Sequence, residues 1–528
     1  MKNSDLLFNF FTIVLLSITN CQFQSAADVL DNNYLRIRNN LIEQDRNNFF
    51  GAAVQLSPNE EVVNQHLIKL KKSELDFFKS NSSFLPGKNF LLVKNYISQS
   101  KVFQFIQRIP KGASLHAHLL ASVDPDYVIN NLTYLPNVYG CWINSKFKLK
   151  IFPDPLQTYE DAKCSKWQRL SVYRNESNQK QMDFDVFLRN QITLNESAVV
   201  QDREVVWQKF KSIFECLYDL ISYRPVFKQY VYRMLQELYD DHIFYTEIRG
   251  TFMPLYDSNN GTSEDPKIFL DTFLGVIEEF KATHPKFIGL KYIYNIYRGV
   301  QKETLRSILK QVVHYKKIYP NFIAGIDFVG QEDESQKLVT FHHELLEIMP
   351  KLKFYFHAGE TNQYGGTDLN LFDAIMLNSS RIGHGFGLTK HRELMTIGKC
   401  RDIAVELCPI SNQVLKLVDD PRNHPGVMLL SENYPVVIGN DDPAAWGATG
   451  VSYDWYVVFL SMTWPEHGLR VLKKLAENSI VYSAMNTEER DEALKIWERQ
   501  WNDFIIDQLE RVDKEHGEKQ KINDGCAI

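Results

Sequence analysis

Beyond residue 17, no stretch of this 528-residue chain approaches the ~18 to 20 apolar residues of a membrane helix, which excludes a span in the body of the protein. Positive charge is not in excess. Against 65 Asp+Glu stand 59 Lys+Arg, a formal net charge of −6 that argues against general nucleic-acid binding. No internal repeat or low-complexity tract is present. No P-loop occurs, no Gly-x-Gly-x-x-Gly opens a helix, and the Pro-Cys-x-x-Cys of cytidine-type deaminases is missing. His343-Glu344-Leu-Leu-Glu347 lacks the second His of a zinc-protease helix and reads as an amphipathic helix face. Cysteine is scarce, seven in all. Cys141 and Cys164, in a polar and loop-rich region, are the best disulfide candidates, whereas Cys216, Cys400 and Cys408 lie in apolar patterns and read as buried thiols.

The N-terminus carries Met1-Lys2 and then Leu6 to Leu16, apolar except for Asn9 and Thr12, followed by the small residues Ser17, Ser25, Ala26 and Ala27. This is the pattern of a secretory signal peptide cleaved between Ser17 and Ala27, and it predicts an extracellular protein. Six glycosylation sequons agree with that route: Asn81, Asn131, Asn175, Asn195, Asn260 and Asn378.

Residues 28–108 show apolar positions at three and four spacing, as in Leu67, Leu70, Leu75 and Phe78, and predict helices. The stretch 120–200 is aromatic-rich and irregular. Within 141–180, eight Lys/Arg face four Asp/Glu, a local positive excess of four. From residue 225, strand-like runs alternate with amphipathic segments: Ile243–Arg249, Phe287–Tyr294, Ile323–Val329, Phe354–His357, Arg381–His384, Ala404–Cys408 and Pro435–Asn440. With the earlier run Ala113–His118 they make eight βα units, which predicts a parallel (β/α)₈ TIM barrel with a basic insertion after the first strand.

In such barrels the reacting groups sit at the C-terminal strand ends. His116 and His118 alternate along the first strand, so they project from one face, a spacing that suits Zn²⁺. The fifth strand ends in His357-Ala-Gly-Glu360, offering a third nitrogen and an acid or base. The sixth ends in His384 between two glycines, an approachable imidazole suited to proton transfer near neutrality. The eighth ends in Asp441-Asp442-Pro443, two carboxylates whose repulsion a cation or a shared proton would relieve. Singly, each pattern also fits a satisfied strand-end His, a Gly-rich turn or an Asx cap. Together they point to one metal-assisted site.

In order, these motifs resemble the adenosine deaminase family: His116-Ala-His118, His357-Ala-Gly-Glu360, Ser379-Ser-Arg-Ile-Gly-His384-Gly and Asp441-Asp442-Pro443. Gly325-Ile-Asp-Phe-Val-Gly330-Gln-Glu-Asp333, Glu406-Leu-Cys-Pro-Ile-Ser-Asn-Gln-Val-Leu-Lys-Leu417 and Arg422-Asn-His-Pro425 resemble its secreted growth-factor branch. The resemblance implies that His116, His118, His357 and Asp441 bind one catalytic Zn²⁺, which lowers the pKa of a bound water. It implies that His384 orients that water and takes its proton, that Glu360 protonates purine N1, that Asp442 bonds N7 and that the Gly330 backbone approaches N3. Trp207 would line the nucleoside site, and adenosine would leave as inosine and ammonia. The implied organisation is a signal peptide at 1–26, a helical dimerisation region at 27–108, a catalytic barrel at 109–126 and 186–515, and an inserted receptor-binding domain at 127–185 closed by a Cys141–Cys164 disulfide. Expected partners are an adenosine-type nucleoside, a second copy of the chain, and a cell-surface receptor or acidic polysaccharide.

Two positions depart from the family. An Asp that contacts ribose, expected within two residues of the second metal-binding His, is replaced by Leu119 and Leu120, and a His expected before Arg298 is Tyr297. Both departures fall on ribose recognition. The alternatives are another amidohydrolase, such as an AMP or adenine deaminase, and a catalytically altered member acting mainly as a receptor-binding growth factor.

Overall fold

Eight parallel strands form where the sequence alternates β-branched runs with amphipathic segments: β1 Gly112–His118, β2 Ile243–Gly250, β3 Gly289–Tyr297, β4 Ile323–Val329, β5 Lys353–Phe354 with His357–Ala358, β6 Arg381–His384, β7 Ala404–Leu407 and β8 Val436–Ile438. They belong to a computed structural model that describes residues 31–152, 159–161, 164–179, 183–257 and 261–525. β1, β2, β3, β4 and the first half of β5 make a five-stranded sheet, and the second half of β5 with β6, β7 and β8 makes one of four. Neighbours are parallel throughout, as βαβ connection requires.

A single continuous eight-stranded ladder was expected; among the described residues there are two sheets. The break lies in β5 at residues 355–356. There the His357 N–H leaves the ladder and bonds the Asp327 carboxylate at 2.8 Å, while Tyr355 N still reaches Ile326 O at 3.0 Å and Gly383 N reaches Phe356 O at 2.8 Å. At the other edge Ala117 bridges Asp441, His118 N bonds Asp441 O at 2.9 Å and Asp441 N bonds His116 O at 3.0 Å. β3 runs to Tyr297, three residues beyond expectation, which brings Asn295 to its C-terminal end. After β4 the chain makes 3₁₀ turns at Glu332–Glu334 and Leu338–Phe341 before the helix His342–Ile348, which carries the His343–Glu347 segment read as a helix face.

The N-terminal periodicity becomes helices Asp31–Asn48, Pro58–Ser80, Phe90–Ile97 and Lys101–Arg108. Pro58–Ser80 starts with a capping box, in which Ser57 N bonds Glu60 Oε2 at 2.7 Å and Glu60 N bonds Ser57 Oγ at 3.3 Å. The other Glu60 oxygen binds Lys473 and Trp501, both at 2.6 Å, so the cap also docks the helix on C-terminal elements. Further along, the fully buried Lys71 amine donates to Thr463 Oγ1 at 2.5 Å, Trp464 O at 2.7 Å and His467 O at 3.3 Å, satisfying the donors whose burial would otherwise be costly.

Between β1 and β2 lies an antiparallel sheet of Val138–Ile143, Lys146–Ile151, Tyr159–Asp161 and Cys164–Arg169. The Cys141–Cys164 disulfide is formed across a separation of 23 residues. Cys216 and Cys408 are buried thiols; Cys400, expected to be buried, is exposed because it ends helix Arg392–Cys400 beyond that helix's buried face. Asn81, Asn131, Asn175, Asn195 and Asn378 are exposed. Asn260 and residues 1–26, expected to be a signal peptide, lie outside the described residues, among which no helix is long and apolar enough to cross a membrane.

Closing a loop of this size restricts the unfolded chain, an effect worth about 3 kcal/mol. A Cys141→Ser/Cys164→Ser protein is expected to lose roughly 2–4 kcal/mol locally and to become cleavable within 138–169 by limited proteolysis while the β1–β8 body stays protected.

Candidate active site

Period-two alternation on β1 turns His116 and His118 inward together, and β5 and β8 deliver His357 and Asp441 to meet them. Donor atoms of these four residues all lie within 4.8 Å of one another. His118 Nε2 is 3.1 Å and His116 Nε2 is 3.3 Å from Asp441 Oδ1. Ring centroids of His116 and His357 are 4.7 Å apart. Two glycines make the approach feasible. A Cβ on Gly439 would sit 2.6 Å from His116 Cβ, and one on Gly383 would sit 3.1 Å from His116 Cε1. Asp441 and His384 both take positive φ, 56° and 60°, which non-glycine residues adopt rarely and mostly where surroundings impose it.

Beneath this cluster lies a layer of buried charge. Glu406 Oε2 takes His116 Nδ1 at 2.6 Å and Arg249 Nη2 at 2.6 Å, and Glu406 Oε1 takes Arg381 Nε at 2.6 Å. Asp327 Oδ2 takes His357 Nδ1 at 2.6 Å and Arg249 Nε at 2.9 Å. Burial works against ionisation of both acids, but the adjacent imidazoles and guanidiniums outweigh it and hold Asp327 and Glu406 well below the usual carboxylate range. With Nδ1 committed to a carboxylate, each of these imidazoles turns Nε2 towards the cluster centre. Burial draws His357 down to about 4, so its ring is neutral at pH 7. His116 Nε2 is buried and makes no well-formed hydrogen bond, as expected of an atom awaiting a ligand. Three imidazoles and a carboxylate suit Zn²⁺ in kind and number, so the residues fit a catalytic metal.

Glu360, His384 and Asp442 surround this set, all buried. His384 Nδ1 is 3.7 Å from Glu360 Oε1 and His384 Nε2 is 3.8 Å from Asp441 Oδ2. Burial, reinforced by the Asp441 charge, pushes the Glu360 and Asp442 carboxyls well above their usual range, and burial lowers His384. Glu360 Oε1, Asp442 Oδ1, His384 Nε2 and Trp207 Nε1 are buried with no hydrogen-bond partner among the described residues. A cavity of about 360 Å³ opens on the cluster, lined by Glu360, Asp441 and Asp442 together with Trp207, Gly330, Leu119, Leu120 and Tyr297. Gly330 has φ +109°, and a Cβ there would meet the Tyr297 ring at 2.9 Å. A larger groove, about 890 Å³, runs along helix Pro58–Ser80 and touches none of these groups.

Of the predicted site residues, His118, Trp207, Gly330, His357, Glu360, Asp441 and Asp442 line this cavity, and the His116 and His384 rings pack behind them, 4.9 Å apart. The sequence reading gave no role to Asp327, Glu406, Arg249 or Arg381, nor to Ser411, which donates to Asp441 at 2.6 Å, nor to Asn412, 3.1 Å from His384 Nδ1. A signal existed for the acids: Asp327 and Glu406 are lone carboxylates inside otherwise apolar strands, where an unpaired charge would be prohibitive.

Residues 180–497 match the adenosine deaminase family and residues 12–106 match the adenosine/AMP deaminase N-terminal family. The chain is 37% identical over 501 residues to adenosine deaminase 2 of Homo sapiens, covering 94% of this chain and 96% of the human protein. It is 39% identical over 460 residues to an adenosine deaminase of Phlebotomus duboscqi, covering 86% and 88%. In fold it is similar to the N6-methyl-AMP deaminase of Arabidopsis thaliana, with a TM-score of 0.53 at 17% identity, covering 75% of this chain and 98% of that one.

Because Asp327 fixes the His357 ring, Asp327→Asn should weaken zinc binding by about 10–100-fold, measured as equilibrium competition with a chelator, without displacing the folded-state spectrum.

Proposed function

The chain belongs to the adenosine deaminase family, and from that membership we propose that it hydrolyses the 6-amino group of adenosine, and of 2′-deoxyadenosine, releasing inosine and ammonia at a zinc centre. The observation that carries this reading is the convergence of His116, His118, His357 and Asp441, with Glu360 and His384 beside them, on one nucleoside-sized cavity. Zinc held by those four residues would lower the pKa of a water molecule in the cluster.

The protein's own groups then divide the work. Glu360 keeps its proton because it is buried near Asp441, and it donates that proton to purine N1, making C6 more electrophilic. His384, kept neutral by burial, takes a proton from the attacking water. Asp442, protonated for the same reason as Glu360, donates to N7, and the Gly330 backbone meets N3. Trp207 lines the cavity and would flank the base. In this reading the eight strands act as one barrel, joined by the Ala117–Asp441 bridge just past β8 and by the divided β5.

Secretion is part of the proposal, supported by the Cys141–Cys164 disulfide, which suits an oxidising compartment, and by five exposed sequons. Dimerisation through residues 27–108 is supported by Val62, Phe77 and Tyr96, exposed along helices Pro58–Ser80 and Phe90–Ile97. A receptor or acidic polysaccharide on 127–185 remains the proposed partner, with less free charge than composition suggests, since Lys146 and Lys148 both pair with Glu215, at 2.7 and 2.9 Å.

Glu360→Gln is expected to reduce kcat by about 10²–10⁴-fold with zinc content unchanged, by ultraviolet assay and metal analysis; a variant retaining near-full turnover would contradict the assignment. The apolar Leu119–Leu120 wall and Tyr297 predict altered discrimination between adenosine and 2′-deoxyadenosine relative to relatives that carry the acid and the His. Comparing kcat/KM for the two nucleosides checks this, and an unchanged ratio would count against it.

A further inference from the structure

The loop from His357 to Glu360 carries both a metal ligand and the proton donor, yet beyond Ala358 it has no regular secondary structure to hold it. Its backbone turns at Gly359 with φ +76°, and a Cβ there would meet Leu371 at 2.8 Å, so the turn is tight and must be fixed by groups outside it. Two fully buried charges supply those bonds. Arg298, just after β3, donates Nη2 to the His357 carbonyl and to Glu332 Oε1, the latter at 3.2 Å. Glu332, opening the 3₁₀ turn after β4, accepts the Gly359 N–H at 3.1 Å and the Asn370 amide at 3.2 Å through Oε2, and is also bonded by the Glu360 N–H.

Resting on the deaminase reading, we infer that the Arg298–Glu332 pair is a positioning device for the reaction, fixing His357 at one end of the loop and Glu360 at the other. Neither side chain lines the cavity, so both act through the residues they hold. The next residue extends the grip: Asp333 accepts from Thr361 Oγ1 at 2.5 Å and from Arg203 at 2.8 Å, and Arg203 begins the helix Arg203–Ile221 that carries Trp207. Thus one turn, Glu332–Glu334, holds the Gly359 backbone before the proton donor, the Thr361 hydroxyl after it, and the helix that carries Trp207. A buried ion pair is not needed for stability as such, since apolar replacements are frequently neutral. The groups held here are the His357 carbonyl and the Gly359 and Glu360 N–H groups, the backbone of the metal ligand and of the proton donor, which is the mark of orientation rather than of packing.

The test is the double variant Arg298→Met/Glu332→Gln, which removes both charges at similar volume and leaves no buried charge unpaired, alongside the conservative single variant Glu332→Gln. Adenosine kcat and KM, the rate of zinc release to a chelator and the thermal midpoint are measured on the full-length protein. The double variant is expected to lose about 10–100-fold in kcat with KM nearly constant, and to release zinc faster by a similar factor. Glu332→Gln, which keeps one carbonyl acceptor for the loop, is expected to fall between it and the parent. Parent-like kcat and zinc release in a folded double variant would overturn the inference, as would losses that only track the unfolded fraction. Absence of adenosine turnover in the parent would instead reject the deaminase reading, and zinc release would still decide whether the pair orients His357.

Discussion

The structure turns on the hydrogen bonds between two buried carboxylates and the Nδ1 atoms of two imidazoles, Glu406 with His116 and Asp327 with His357. A histidine offers a lone pair to a cation only if its other nitrogen carries the proton and finds an acceptor. By accepting at Nδ1, the two acids fix tautomer and ring orientation and aim both Nε2 atoms at one point. The acids in turn remain ionised in the protein interior because Arg249 bridges them and Arg381 completes the Glu406 shell. Beneath the cluster the interior holds paired charge where most cores hold aliphatic side chains. The cost of burying it is offset by nearly complete hydrogen bonding.

Local backbone geometry follows from that requirement. β5 gives up its ladder bond at residue 357 so that the same Asp327 that holds the His357 ring also holds its N–H. His384 and Asp441 accept left-handed backbone, and Gly383 and Gly439 keep the space beside His116 clear. A regular cylinder with ideal strands would not place these side chains on one centre. The irregularities fall where the chemistry is, the pattern expected when function competes with local preference.

Much of the fold could be read from residues. Alternation of β-branched runs and amphipathic segments located all eight strands, and the spacing of His116 and His118 announced a shared face. Tertiary choices were not legible. Nothing local in Phe354–Ala358 marks the division of β5, because the competing bond comes from Asp327, thirty residues away. The supporting acids stood in plain sight within Gly325-Ile-Asp-Phe-Val329 and Ala404-Val-Glu-Leu407, but their partners, Arg249 and Arg381, arrive from other strands and only folding assigns them. Cys400 illustrates the reverse error: Leu394, Met395 and Gly398 form the buried face of its helix, while Cys400 ends that helix at the surface.

Whether three imidazoles and a carboxylate gather a single cation required for turnover is decided by titrating metal-free protein with zinc while following adenosine deamination. Negligible activity is expected without metal, with a linear return that reaches its plateau at one equivalent per chain. Full turnover in rigorously metal-free protein, or a plateau that bears no relation to zinc bound, would contradict it.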